Sequence, residues 1–166
     1  MITDVRSLFR NGFYAGLLAA IILGLYLFQL WKPERQLQLH SAHLIAALEE
    51  NDRSAILDFL DPSYGDQWGH DRATLVARLQ AVLPYAPHLR IEARRIIVRD
   101  SAGAGEWSAR IRVEADANEV TALIKERINP LEEPFLLQWR RVSWKPWDWK
   151  LVRVTNEALQ LPTNGF

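Results

Sequence analysis

His70 and Asp71, a few residues beyond Tyr64, have the most to offer to chemistry in this chain of 166 residues. An imidazole with an ordinary pKa of about 6.5 can take a proton near neutral pH, so His70 is a candidate general base. No orienting carboxylate for it stands out in the sequence, and a histidine without one is ordinarily a surface or capping residue. Asp71 sits where a following helix needs its first amides satisfied, so capping competes with acid–base work there. Tyr64 and Trp68 are expected to pack beneath the loop that carries them. His40 and His43, three apart on one helix, could clip a metal ion, but no carboxylate or third histidine stands at ligand spacing. Neither a metal nor a cofactor is expected. The absence of cysteine removes thiol catalysis, disulfides, cysteine-ligated zinc and a lipoprotein anchor.

Charge narrows the partners. Twenty basic residues balance twenty acidic ones, which leaves no excess to neutralise phosphates and argues against nucleic acid. Arginine outnumbers lysine sixteen to four, and many of the arginines fall on predicted strands. There they can pair across strands with Glu92, Glu106 and Glu114 as a solvated ladder, or form a binding face for carboxylates or lipid phosphates.

The element that positions everything else comes first. Residues 13–31 carry no charge, and nineteen residues at about 1.5 Å rise cover roughly 28 Å, close to the hydrocarbon thickness of a bilayer. Tyr14, Tyr26 and Trp31 lie towards its ends, where amphipathic rings favour the headgroup layer. A cleaved signal peptide would carry a shorter apolar core ending in small residues, whereas this one ends in bulky ones, so retention as an anchor is expected. Arg6 and Arg10 before the span nearly cancel Lys32 and Arg35 after it. The brevity of residues 1–12 tips the expected orientation towards an N-terminus inside and a domain outside, in the periplasm if the source is Gram-negative. Gly12, Gly16, Ala20 and Gly24 recur every fourth residue on one face, which permits close approach of a second helix, from another membrane protein or a second copy. Glycine and alanine are also simply common in membrane helices.

Residues 32–158 suit one soluble domain, with 159–166 as a C-terminal tail. Pro33 bends the chain just outside the membrane. Apolar periodicity predicts a helix over 36–50, a second beginning after Asp52 and stopping at Asp61-Pro62, and a third from Asp71 to Pro84. Alternation then predicts strands over 89–99 and 107–115 around a turn at 100–105, and over 135–144 and 147–155 around Lys145-Pro146. A short helix at 118–127 lies between the two hairpins. Trp107, Ala109, Ile111 and Val113 share one strand face. Most of the seven tryptophans should be core, but Trp144, Trp147 and Trp149 bracket a hairpin tip and are expected as an exposed cluster for a protein partner or the bilayer surface.

Three helices before a run of antiparallel strands make an α+β domain. The order of elements, the phrase Leu60-Asp61-Pro62-Ser63-Tyr64 leading through Gly69-His70-Asp71 into a helix, and the strands Trp139-Arg140-Arg141-Val142 and Trp147-Asp148-Trp149-Lys150-Leu151-Val152 resemble the nuclear transport factor 2-like superfamily. That resemblance implies a curved sheet coned around helices, frequently with a pocket. It implies a histidine or aspartate base in the enzymes, with Tyr64, Trp68, His70, Asp71, Arg110, Gln138 and Arg140 as the pocket candidates here. The superfamily also includes many members without catalysis. The layout of one span before such a domain is similar to that of inner-membrane assembly factors of type IV secretion systems. The expected function is therefore a membrane-anchored, non-catalytic scaffold or accessory subunit, with a pocket-bearing ligand binder or isomerase/dehydratase-like enzyme as the alternative.

Overall fold

The computed structural model describes residues 3–160, with side-chain surroundings from residue 13 onward. Helix α1 (Thr3–Leu30) takes in most of the expected tail, and its Phe13–Leu30 stretch is long and apolar enough to cross a membrane. None of that stretch is buried against the domain. The chain then bends through Trp31 and Lys32 into α2 (Pro33–Glu49), whose proline occupies the first turn, where a missing N–H is harmless. The buried Gln36 side chain donates to the Leu30 carbonyl at 2.8 Å, covering one of the groups that the end of α1 leaves unpaired.

Two further helices follow, each capped by an aspartate as expected. Asp52 accepts from the Ala55 amide at 3.0 Å at the start of α3 (Arg53–Phe59), and Asp71 accepts from the Thr74 amide at 2.8 Å at the start of α4 (Arg72–Val82). A short 3-10 helix at Leu83–Tyr85 contains Pro84. Strands β1 (Arg90–Ser101), β2 (Ala104–Glu114), β3 (Phe135–Arg141) and β4 (Trp149–Thr155) form one antiparallel sheet in sequence order, with α5 (Glu119–Ile128) between β2 and β3. Asn118 and Thr121 cap α5 reciprocally.

The first turn is tighter than the sequence suggests. Ser101 pairs with Ala104, so only Ala102 and Gly103 turn, both with positive φ (36° and 93°). Residues 100–105, read as loop from their small side chains, thus mostly extend the ladder. The second hairpin is looser: pairing ends at Arg141 and Trp149, leaving Trp144 and Trp147 in a loop rather than in strands.

Alternation then decides the layers. Gly105, Trp107 and Ala109 of β2, Leu137 and Trp139 of β3, and Trp149 and Leu151 of β4 all point inward, towards Leu37, Leu44 and Ala47 of α2 and Ile56 of α3, while Val113 joins a second cluster with Ala86 and Leu89. Contact is close at Gly105, where an added Cβ atom would collide with the Leu37 side chain. Any larger residue there would have to displace the buried Leu37 side chain, so α2 lies directly on the sheet. Beyond β4, residues 60–67 run along its free edge: the amides of Asp61, Gly65 and Gln67 donate to the carbonyls of Leu151, Val152 and Val154. That irregular edge carries the loop holding His70.

Candidate functional site

The loop between α3 and α4 is built around two buried carboxylates. Asp66 accepts from the amides of Trp68 (2.9 Å) and His70 (2.8 Å) and from His70 Nδ1 (2.8 Å), while the Asp66 amide donates to the His70 carbonyl (3.1 Å). His70 is therefore not the lone imidazole that its sequence context suggests. A carboxylate fixes its ring and directs Nδ1–H inward, which leaves Nε2 as the nitrogen available for a proton. Tyr64 is buried close by, and burial together with the charge of Asp66 pushes its phenol pKa well above the ordinary value. Asp71 plays a separate part, since its carboxylate caps α4 and the Thr74 amide holds its pKa below the usual range.

Asp61 is the second carboxylate, and sequence reasoning passed over it. It accepts from the Ser63 amide (2.8 Å), Ser63 Oγ (2.7 Å) and Arg140 Nη2 (2.7 Å to one oxygen, 2.8 Å to the other). Burial alone would raise its pKa, but these donors outweigh burial and hold it below the ordinary carboxylate value. Arg140 thus ties the sheet to the loop across 79 residues of sequence. Trp68 also serves the wall of the domain, its indole donating to the Leu159 carbonyl at 2.9 Å.

The remaining pocket expectations need correction. Arg110, Gln138 and Arg140 alternate with the inward tryptophans and leucines, so all three lie on the sheet face turned away from the helices. Gln138 pairs in register with Glu106 and Arg153, and Arg110 reaches Glu132 at 2.5 Å. The interior they were expected to line is occupied by Leu37, Trp107, Trp139 and Trp149. His40 packs edge-on to Phe59 and Trp139, whereas His43 is exposed, so the two do not converge. On the outer face Glu92 stands opposite Arg112 and Glu106 opposite Arg99, as a charge ladder requires. Glu92 and Glu114 close ion pairs along their strands instead, Arg94 to Glu92 at 2.8 Å and Arg112 to Glu114 at 3.4 Å.

The expected tryptophan cluster divides. Trp149 is 2% exposed, because it shares the inward parity of Leu151, and its indole donates to the Pro146 carbonyl at 2.8 Å. It is a core residue and not part of an interaction surface. Trp144 is 84% and Trp147 50% exposed, and the Trp147 ring lies 6.3 Å from that of Trp31 at the end of α1. A cavity of about 330 Å³ opens between α1 and α2, lined by Tyr26, Gln29, Leu30, Lys32, Glu34, Arg35 and Gln38. Along α1, Gly16, Ala20 and Gly24 are exposed, and the two glycines have open space around them; Gly12 lies outside the residues whose surroundings are described.

Comparison with solved structures defines the fold as nuclear transport factor 2-like, also called cystatin-like. Bd1075 of Bdellovibrio bacteriovorus superposes with a TM-score of 0.58 at 9% identity over 77% of this chain, which spans 41% of Bd1075. A provisionally assigned aromatic ring hydroxylase from Novosphingobium aromaticivorans gives 0.58 at 14% identity, covering 77% of this chain and 90% of that one. A nuclear transport factor 2-like protein from Pseudomonas putida gives 0.54 at 10% identity, with 73% and 82% covered. No protein-family profile matches the sequence, and no curated protein matches it. At these identities the likeness speaks for the fold alone.

Proposed function

We propose that the chain is a single-pass membrane protein whose domain works by contact, as a non-catalytic scaffold or accessory subunit of a membrane complex. The packed cone is the observation that carries this reading. Leu37 lies against Gly105, and Trp107, Trp139 and Trp149 fill the space where a superfamily enzyme would hold substrate. The apolar α1, with its small-residue face unoccupied, supports an anchor that meets a partner helix, from another membrane protein or a second copy. We place the N-terminus in the cytoplasm and the domain on the outer side of the inner membrane. Copurification in mild detergent tests the reading, comparing the full-length chain with the G16L/A20L/G24L variant. Membrane proteins recovered with the first and lost with the second are expected. A lone protein in both preparations contradicts the reading.

The oriented imidazole of His70 favours a second reading, a ligand binder or enzyme. In that case H70Q would abolish ligand binding. In the first reading it leaves copurification unchanged.

A further inference from the structure

We infer that the tip of the second hairpin, residues 142–148, is a second membrane contact that rests in the lipid headgroup layer beside the end of α1. The inference depends on α1 spanning the bilayer, as proposed above. Trp31 directly follows α1, at the end of the apolar stretch, and so marks the depth at which hydrocarbon gives way to headgroups. The Trp147 ring lies 6.3 Å from the Trp31 ring, which brings that side of the hairpin tip to the end of α1.

The tip is made for that layer. Trp144, Trp147 and Val142 are its exposed apolar groups, and Lys145 lies among them in sequence. A tryptophan that exposes an apolar body and an N–H donor is costly in water and stable at a membrane interface. The fold offers Trp144 no cover within the domain, in contrast to the buried Trp149 five residues later. Lys32 and Arg35, with one acidic neighbour in Glu34, line the cavity at the α1–α2 bend, where lipid phosphates would lie. The tie from Gln36 to Leu30 and the Trp31–Trp147 contact both restrain that bend. Two contacts, span and hairpin, would then fix how the domain stands on the membrane, where a span alone leaves it free to tilt.

The lack of cysteine makes the test clean. S143C, which keeps both tip tryptophans, and A117C, in the segment after β2 at the opposite end of the sheet, are each labelled with a fluorophore in the full-length chain. Each is reconstituted into phosphatidylcholine vesicles carrying a headgroup nitroxide. Resistance to alkaline carbonate is measured on the same samples and tests the span separately. The expected result is quenching at 143 at least several-fold stronger than at 117, reduced at least twofold by W144A/W147A. Integral protein with equally weak quenching at both positions overturns the inference and leaves the span intact. Protection of 143 from an aqueous quencher without lipid quenching also overturns it, since a protein then covers the tip. Extraction by carbonate overturns the span and the inference together.

Discussion

Asp66 holds two backbone amides and an imidazole, so its removal strips three donors of their acceptor at a buried position. Loss of His70 removes only one of those bonds. If the pair is chiefly a loop staple, D66A should destabilise the domain by about 2–3 kcal/mol and H70A by about 1 kcal/mol, measured by urea unfolding of the detergent-solubilised chain. The reverse order would point to an imidazole with other work. Asp61 makes a pH-dependent case. Its folded pKa lies below the ordinary carboxylate value, so its contribution is complete above that value and is lost as pH falls through the depressed one. The urea midpoint of the native chain should therefore drop from about pH 4 downward, and D61N should flatten that portion of the curve. An identical acid dependence in D61N would refute the assignment. These two carboxylates also mark where the sequence was and was not legible. The Asp66–His70 spacing of four was visible, but no helix linked the two residues and nothing signalled that a loop would close on itself. The Asp61–Arg140 pair depends on residues 60–67 adding to the edge of β4, a tertiary event without a local signal.

Helices and strands were legible because each announces itself locally. Asp52, Asp71 and Asn118 cap α3, α4 and α5, and strict alternation in β2 separated its core face from its charged face. Turns were less legible: small residues at 100–105 suit both a loop and a tight hairpin, and the positive φ of Ala102 and Gly103 chose the hairpin. Which side of the sheet the helices cover is not encoded in one strand, so Arg110, Gln138 and Arg140 could be assigned a face only once Trp107, Leu137 and Trp139 were seen to point inward. The packing of α2 on β2 yields a direct test. G105A drives a methyl group into Leu37 and should destabilise the domain by about 1–3 kcal/mol, while L37A alone should cost about 2–5 kcal/mol by leaving a cavity. Combined, the two should cost clearly less than their sum, because the new methyl group enters the space the leucine vacated. Full additivity would mean that the helix and strand are not in contact, and that the cone is open.

At the scale of the whole molecule, an unburied apolar helix, a domain whose interior is packed, and aromatic side chains gathered at the junction put much of the exposed apolar surface on α1 and where it meets the domain. On the function proposed above, the domain acts by where it is held and what it touches. The most direct measurement is site-specific photocrosslinking in native membranes. A photoreactive residue replaces either Phe13 or Leu23, which border the small-residue face of α1, or Leu18 or Ile22 on the opposite face, as about 100° per residue dictates. The account predicts protein adducts from positions 13 and 23 and none from 18 and 22. Lipid adducts alone, equal on both faces, would contradict it.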